Sequence, residues 1–295
     1  MKAISYSLFG YGKARQENCF DFDSYARGLH LCIRFNRILY PEWITVLNMD
    51  NETYRSPYKP IFDWHVTKGF MRISIQEPAP LCKAMLWRLK TVFDYDHPEW
   101  RYSHVICRDL DSISTYREAQ MVQEWVNEDK AMHCITDSVS HTIPMMGGLV
   151  GFRPGYVNDV LKTSDDPGSV WESLLAQAPD IDYRIKGSDQ SLLNRVLYPK
   201  LCEHATEHFI KGMPHNRVEN NGRHYSVDDD LDIGVDPKFE ETNLLAGHAG
   251  AAGYYQPATE KFLYHNDPYK QEYDELERLE EFKQVFYWYR REDLR

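Results

Sequence analysis

Residues 102–112, YSHVICRDLDS, decide how this chain is read. YSHVIC is a short apolar run with β-branched members, a strand signal over 102–107. Asp109 and Asp111 follow it at once. Side chains two apart on an extended chain point the same way, so the two carboxylates converge. In open α/β sheets ligands lie outside the carboxyl ends of strands. Two hard oxygen donors there suit Mg²⁺ or Mn²⁺, which take carboxylates together with substrate phosphate oxygens and water. An ion so held neutralises a leaving diphosphate. A solvated turn is the plainer alternative for a D-x-D. Thr115 then reads as the N-cap of a helix to about Asn127, with Glu118 at capping-box spacing.

Outward from this stretch, strand and helix patterns alternate. Strand patterns cover 4–9, 43–49, 70–76, 132–135 and 148–153; helical spacing covers 25–39, ended by Pro41, and a segment from Pro80 through Phe93. This alternation predicts an α/β fold with a largely parallel sheet and helices on both faces. The second half reads as helices near 168–178 and 188–197, a strand near 205–210, a loop-rich stretch over 211–268 and a terminal helix over 272–292. That last helix carries Leu276, Leu279, Phe282 and Phe286 at helical spacing. There is no internal repeat and no linker rich in Gly, Ser or Pro, so one compact domain is expected.

The chain has 295 residues and a formal net charge of -11. The acidic balance argues against a protein whose main task is gripping nucleic-acid backbones or anionic lipid, although a local basic groove is compatible with it. No window approaches the length of a membrane span, and the N-terminus lacks a signal-peptide core, so no membrane partner and a cytoplasmic location are expected. Six cysteines stand far apart with no C-x-x-C pair, which reads as buried free thiols.

The stretch from His104 to Pro154 resembles a viral and bacterial group of GT-A-type glycosyltransferases. Their pattern is a strand, R-D-x-D-S, R-E, a helix with E-W, a D…H segment and G-G-x-x-G. The matching residues are Arg108, Asp109, Asp111, Ser112, Arg117, Glu118, Glu124, Trp125, Asp137, His141, Gly147, Gly148 and Gly151. Tyr6 to Gly10 (YSLFG) resembles the group's first strand, and Asp189-Gln190 its D-Q motif. The resemblance covers about residues 4–200. It implies a GT-A domain over 1–268 with a C-terminal helix, 269–295, packed on it. It further implies transfer of a sugar from a nucleotide-sugar, UDP by default, to a hydroxyl of a glycan, a protein or a modified nucleobase.

By this resemblance Asp111 is the direct ligand of Mn²⁺ or Mg²⁺, and Asp109 touches the donor or the metal, directly or through water. Arg108 anchors sugar or phosphate, or orients the loop through a salt bridge. Tyr6, Leu8 and Gly10 lie along the nucleotide, with first-strand packing as the alternative. Gly147-Gly148 lines the sugar pocket, either for close backbone approach or for a tight turn. Asp137 and Gln190 are donor contacts. Asp189 is the catalytic carboxylate: general base, transition-state stabiliser or nucleophile, with N-capping as its structural alternative. A D-Q also occurs at a related place in glycogenin-like enzymes, which favours retention. His248, in a small-residue loop, is the candidate third metal ligand, and His204, His208, His215, His224 and His265 are the other histidines considered. Trp64 and Trp100 are candidate sugar platforms. A nucleotidyltransferase and a non-catalytic nucleotide-sugar or glycan-binding protein are the competing readings.

Overall fold

The computed structural model describes residues 1–11, 22–93, 101–136, 143–161, 170–210, 223–227 and 265–286. The first half runs β1 (Lys2–Leu8), α1 (Phe22–Leu39), β2 (Trp43–Asp50), α2 (Asn51–Tyr54), α3 (Lys59–Thr67), β3 (Met71–Gln76), α4 (Leu81–Ala84), α5 (Trp87–Phe93), β4 (His104–Cys107) and α6 (Tyr116–Glu128). Then follow β5 (Met132–Thr136), β6 (Val150–Phe152), α7 (Pro154–Leu161), α8 (Val170–Ala176), α9 (Ser188–Leu192), α10 (Tyr198–Leu201), β7 (Ala205–Ile210), β8 (Arg223–Val227), α11 (Lys270–Leu276) and α12 (Glu280–Phe286).

The strands form one sheet of order β3-β2-β1-β4-β6-β5-β7-β8. Every pairing is parallel except those of β6, which runs antiparallel to β4 and β5. The class is therefore the expected one, a largely parallel α/β sheet. Alternation along β1 explains why helices cover both faces. Ile4, Tyr6 and Leu8 enter one apolar cluster with α1, α3 and α6, while Ala3 enters the other with α5, α7 and α8. Strands buried on both faces read as near-continuous apolar runs, as HVIC does.

Thr115 caps α6 as expected, its hydroxyl accepting the Glu118 N–H at 3.2 Å. The expected single helix over 80–93 is two short ones. Ser7 of β1 occupies the gap: its hydroxyl accepts from Arg88 N–H at 2.8 Å and donates to the Met85 carbonyl at 3.2 Å. The stretch expected as a loop holds β8. The expected terminal helix is α11 and α12, separated by a turn where the Glu277 carboxylate is held by Arg34 at 3.0 Å. Leu279, expected on the apolar stripe, is 44% exposed in that turn. Tyr273, Leu276 and Phe282 join the cluster around α1. No helix among the described residues is long and apolar enough to cross a membrane.

Candidate functional site

The chain builds β1, β2 and β3 outward on one side, then crosses to β4 on the other side of β1. Strand order thus reverses between β1 and β4, and the crevice beyond their carboxyl ends is where such sheets take ligands. Cys107 closes β4 beside Ser5 of β1, and Arg108–Ser112 leaves the sheet at that point.

Asp109 is the open member of the pair, its side chain 40% exposed. Asp111 is buried. Burial first, then the neighbouring Asp109 charge, pushes the Asp111 carboxyl up to about 6, while a hydrogen bond from Tyr25 opposes the shift. Ser112 Oγ lies 3.5 Å from Asp111 Oδ1. Hard oxygens, excess negative charge and partial exposure fit a divalent cation. A Mg²⁺-type site needs only one or two carboxylates when substrate phosphates and water complete the shell. Among the described residues no cluster of three His, Cys, Asp or Glu side chains forms a metal site.

Asp189 reaches the same place from α9 and is 2% exposed. It is not the N-cap of α9; that position is Gly187, at φ 88°. Its partner is Arg88, whose Nη2 donates to Asp189 Oδ2 at 3.0 Å and whose Nη1 binds Asp109 Oδ1. Burial works against the guanidinium charge, but Asp109 and Asp189 outweigh it and raise its pKa above the ordinary arginine value. Ser5 and Ser7 place Arg88: Ser5 Oγ donates to the Arg88 carbonyl at 2.8 Å, while Ser7 takes its N–H. Arg88 is the residue that sequence reasoning missed. A charged residue between Trp87 and Leu89, both buried, was the available signal.

Gly147 and Gly148 serve close approach, since neither has positive φ. A Cβ on Gly147 would meet the Arg88 guanidinium and lie 2.8 Å from Asp189 Oδ2. One on Gly148 would strike Asp109 Oδ2 and lie 2.6 Å from its Cγ. Asn194 pins this loop from the π-helical turn after α9. It donates to the Met145 and Gln190 carbonyls, both at 2.8 Å, and accepts the Met145 N–H at 3.0 Å. Such turns are common beside functional sites. Gln190 is half-buried at the same corner. Gly151, the last glycine of G-G-x-x-G, instead makes room for Trp125, whose ring lies 2.9 Å from its Cβ position.

Arg108 takes the salt-bridge alternative. It turns inward to Glu118 Oε2 at 3.0 Å and to the Gly148 and Ile113 carbonyls at 3.2 and 3.4 Å. It thereby ties the D-x-D loop to α6 and to the glycine pair. Tyr6 and Leu8 put their side chains into the core, Tyr6 accepting from Asn36 at 2.9 Å, which is the first-strand packing alternative. Gly10, at φ 77°, turns the chain after β1. Asp137, His141, Trp100, His215 and His248 lie outside the described residues. His204 and His265 are exposed, and His208 is bonded to His133 at 2.9 Å and Glu124 at 3.1 Å. Trp64 packs against His65, Phe70 and Tyr273 rather than standing open.

No family model matches the chain, and no curated protein matches it. Among solved structures it is similar to S. aureus TarS 1–349, at 11% identity and a TM-score of 0.38, over 66% of this chain and 55% of that one. The same protein in complex with UDP aligns at 12% and 0.37, over 65% and 53%. A Desulfovibrio desulfuricans G20 protein described as a nucleotide-diphospho-sugar transferase aligns at 12% and 0.33, over 61% and 75%. The chain thus spans about half the length of the TarS chain it matches.

Proposed function

We propose that the chain is a glycosyltransferase that uses Mg²⁺ or Mn²⁺ and a nucleotide-sugar donor, with UDP-sugars the first donors to test. One observation carries the reading: Asp109 and Asp189 share one buried guanidinium at the β1/β4 switch point, beside Asp111 and against a glycine pair. Asp111, with Asp109 as direct or water-mediated partner, would hold the cation, which when bound would supply positive charge to a departing diphosphate.

The chain's own residues do the rest. Arg88 fixes Asp189 relative to Asp109, so a donor seated on the carboxylate pair presents its sugar to Asp189. Asp189 then acts on the acceptor hydroxyl as base, or on the sugar carbon as stabiliser or nucleophile. The D-Q resemblance favours the second, retaining course. Gly147 and Gly148 bring main chain against the carboxylates and line the sugar pocket, with Gln190 beside them. The backbone of Tyr6, Leu8 and Gly10 lies along the nucleotide. Asp137 serves sugar hydroxyls, and His248 is the third ligand. The acceptor is a hydroxyl of a glycan, a protein or a modified nucleobase, and a steep fall of transfer with salt would mark the nucleic-acid case.

The test is a mass-spectrometric screen of UDP-, GDP- and dTDP-sugars with Mn²⁺. Retention of one nucleotide-sugar, with nucleoside diphosphate released on turnover, is expected. Pyrophosphate release from nucleoside triphosphates instead would replace this reading with nucleotidyl transfer.

A further inference from the structure

We infer that Tyr25 is a positioning residue for the divalent cation: its phenol fixes the Asp111 carboxylate in the orientation that ligates the ion. The inference rests on the cation reading above. Tyr25 stands in the first turn of α1 and hydrogen-bonds Asp111. Its ring is half-buried against the α1 cluster, so it does not sweep through solvent.

The whole helix is seated on the D-x-D loop. Cys32 Sγ lies 3.3 Å from the Ser112 carbonyl and 3.7 Å from that of Leu110. Asn36 Oδ1 accepts from Ser114 Oγ at 3.2 Å. Positions 25, 29, 32 and 36 share one helical face, and Leu29 on that face is 1% exposed. Two bonded levels, at Cys32 and Asn36, therefore set the height at which Tyr25 meets Asp111.

The bond has work to do. Asp111 is buried beside a like charge, and Ser112 Oγ, at 3.5 Å, is a long contact. A carboxylate so placed needs a donor to hold one oxygen while the other faces the ion. A phenol, with an ordinary pKa of about 10, is protonated at neutral pH and can donate. Partners of this kind typically contribute about 10-fold to 100-fold in metal affinity.

The experiment measures Mn²⁺ binding to the full chain without donor, from the electron paramagnetic resonance signal of free Mn²⁺. Tyr25→Phe keeps the ring and removes only the hydroxyl. It should weaken Mn²⁺ binding about 10-fold or more, with the fold retained by circular dichroism. Tyr25→Gln, which restores a donor, should recover part of the loss. Tyr58→Phe removes a phenol that bonds Asp23 of the same helix at 2.9 Å, and it should bind Mn²⁺ as the wild type does. Equal affinity in Tyr25→Phe and wild type overturns the inference and leaves the cation reading standing. An equal loss in Tyr58→Phe also overturns it, since α1 would merely have loosened. A wild type that binds no Mn²⁺, or binds it undiminished in Asp111→Ala, overturns the cation reading and this inference with it.

Discussion

Two buried arginines in this molecule each bridge two carboxylates, and the difference between them separates a site from a brace. Arg34 on α1 holds Asp267 at 2.9 Å and Glu277 at 3.0 Å, docking the segment that carries α11 and α12. Its acids are 0% and 7% exposed, and the Tyr273 ring covers it at 4.6 Å. His30 closes the same cluster, 3.6 Å from Glu277 and ringed by His65, Tyr273 and Phe282. Arg88 holds Asp109 and Asp189, but Asp109 is 40% exposed, backbone replaces side chains on one flank, and Asp111 stands beside the cluster as a third acid. A buried arginine bridge alone therefore predicts nothing about chemistry. Surplus negative charge and an open side do.

The largest effect should come from the brace. Arg34→Leu leaves Asp267 and Glu277 buried without their cation, and removing one partner of a buried pair typically costs about 3–5 kcal/mol. Denaturant unfolding checks this; a change below about 1 kcal/mol would put Arg34 among weak surface pairs. The next effect is at the site. Gly148→Ala forces a Cβ onto the Asp109 carboxylate. A displacement of that order lowers transfer roughly 100-fold, with folding intact by circular dichroism. Wild-type turnover would show that Asp109 needs no fixed place.

The smallest effect is in stability, and acid moves the two regions in opposite directions. Asp111, pushed up to about 6, lies above the unfolded value of about 3.9. The folded state therefore binds the extra proton. Stability from Asp111 is full below about pH 4 and is lost as pH rises through 6. Asp111→Asn should then stabilise the apo protein at pH 7.5 by on the order of 2 kcal/mol and flatten that part of the pH profile. His30 and His65 are the reverse case: burial lowers both, so their contribution is full above about pH 6.5 and is lost as pH falls. From pH 7 to 5, hydrogen-exchange protection, corrected for the fall in intrinsic rate, should rise at residues 108–112 and drop at 270–276. Parallel changes would erase the contrast.

Much of the fold was legible because local pattern and burial coincide. HVIC and WITVLNM are strands because a two-faced sheet wants apolar runs, whereas MRISIQ, at the sheet edge, alternates. The capping of α6 by Thr115 is local chemistry, and the sequence carries it whole. Long-range partnerships were not legible. Nothing near Arg88 in the chain announces Asp109 or Asp189, because the contact depends on Ser5 and Ser7 setting where α5 begins. Arg108 reads from its place before the D-x-D either as an anchor or as a loop-orienting salt bridge, and only its long-range partner Glu118, which the sequence marks for helix capping alone, decides for the second. The break between α11 and α12 escaped the helical stripe because Glu277 is drawn to Arg34, a residue of α1. The antiparallel β6 has no signature in GLVGFR, which reads alike in either direction.

The central claim is that Asp111 and Asp109 hold a divalent cation that serves transfer from a nucleotide-sugar. The most direct measurement is release of nucleoside diphosphate from a panel of nucleotide-sugars with Mn²⁺, in wild type and Asp111→Ala, with and without chelator. Mn²⁺-dependent release in the wild type, abolished alike by chelator and by Asp111→Ala, is the predicted result. Release that survives both would contradict it.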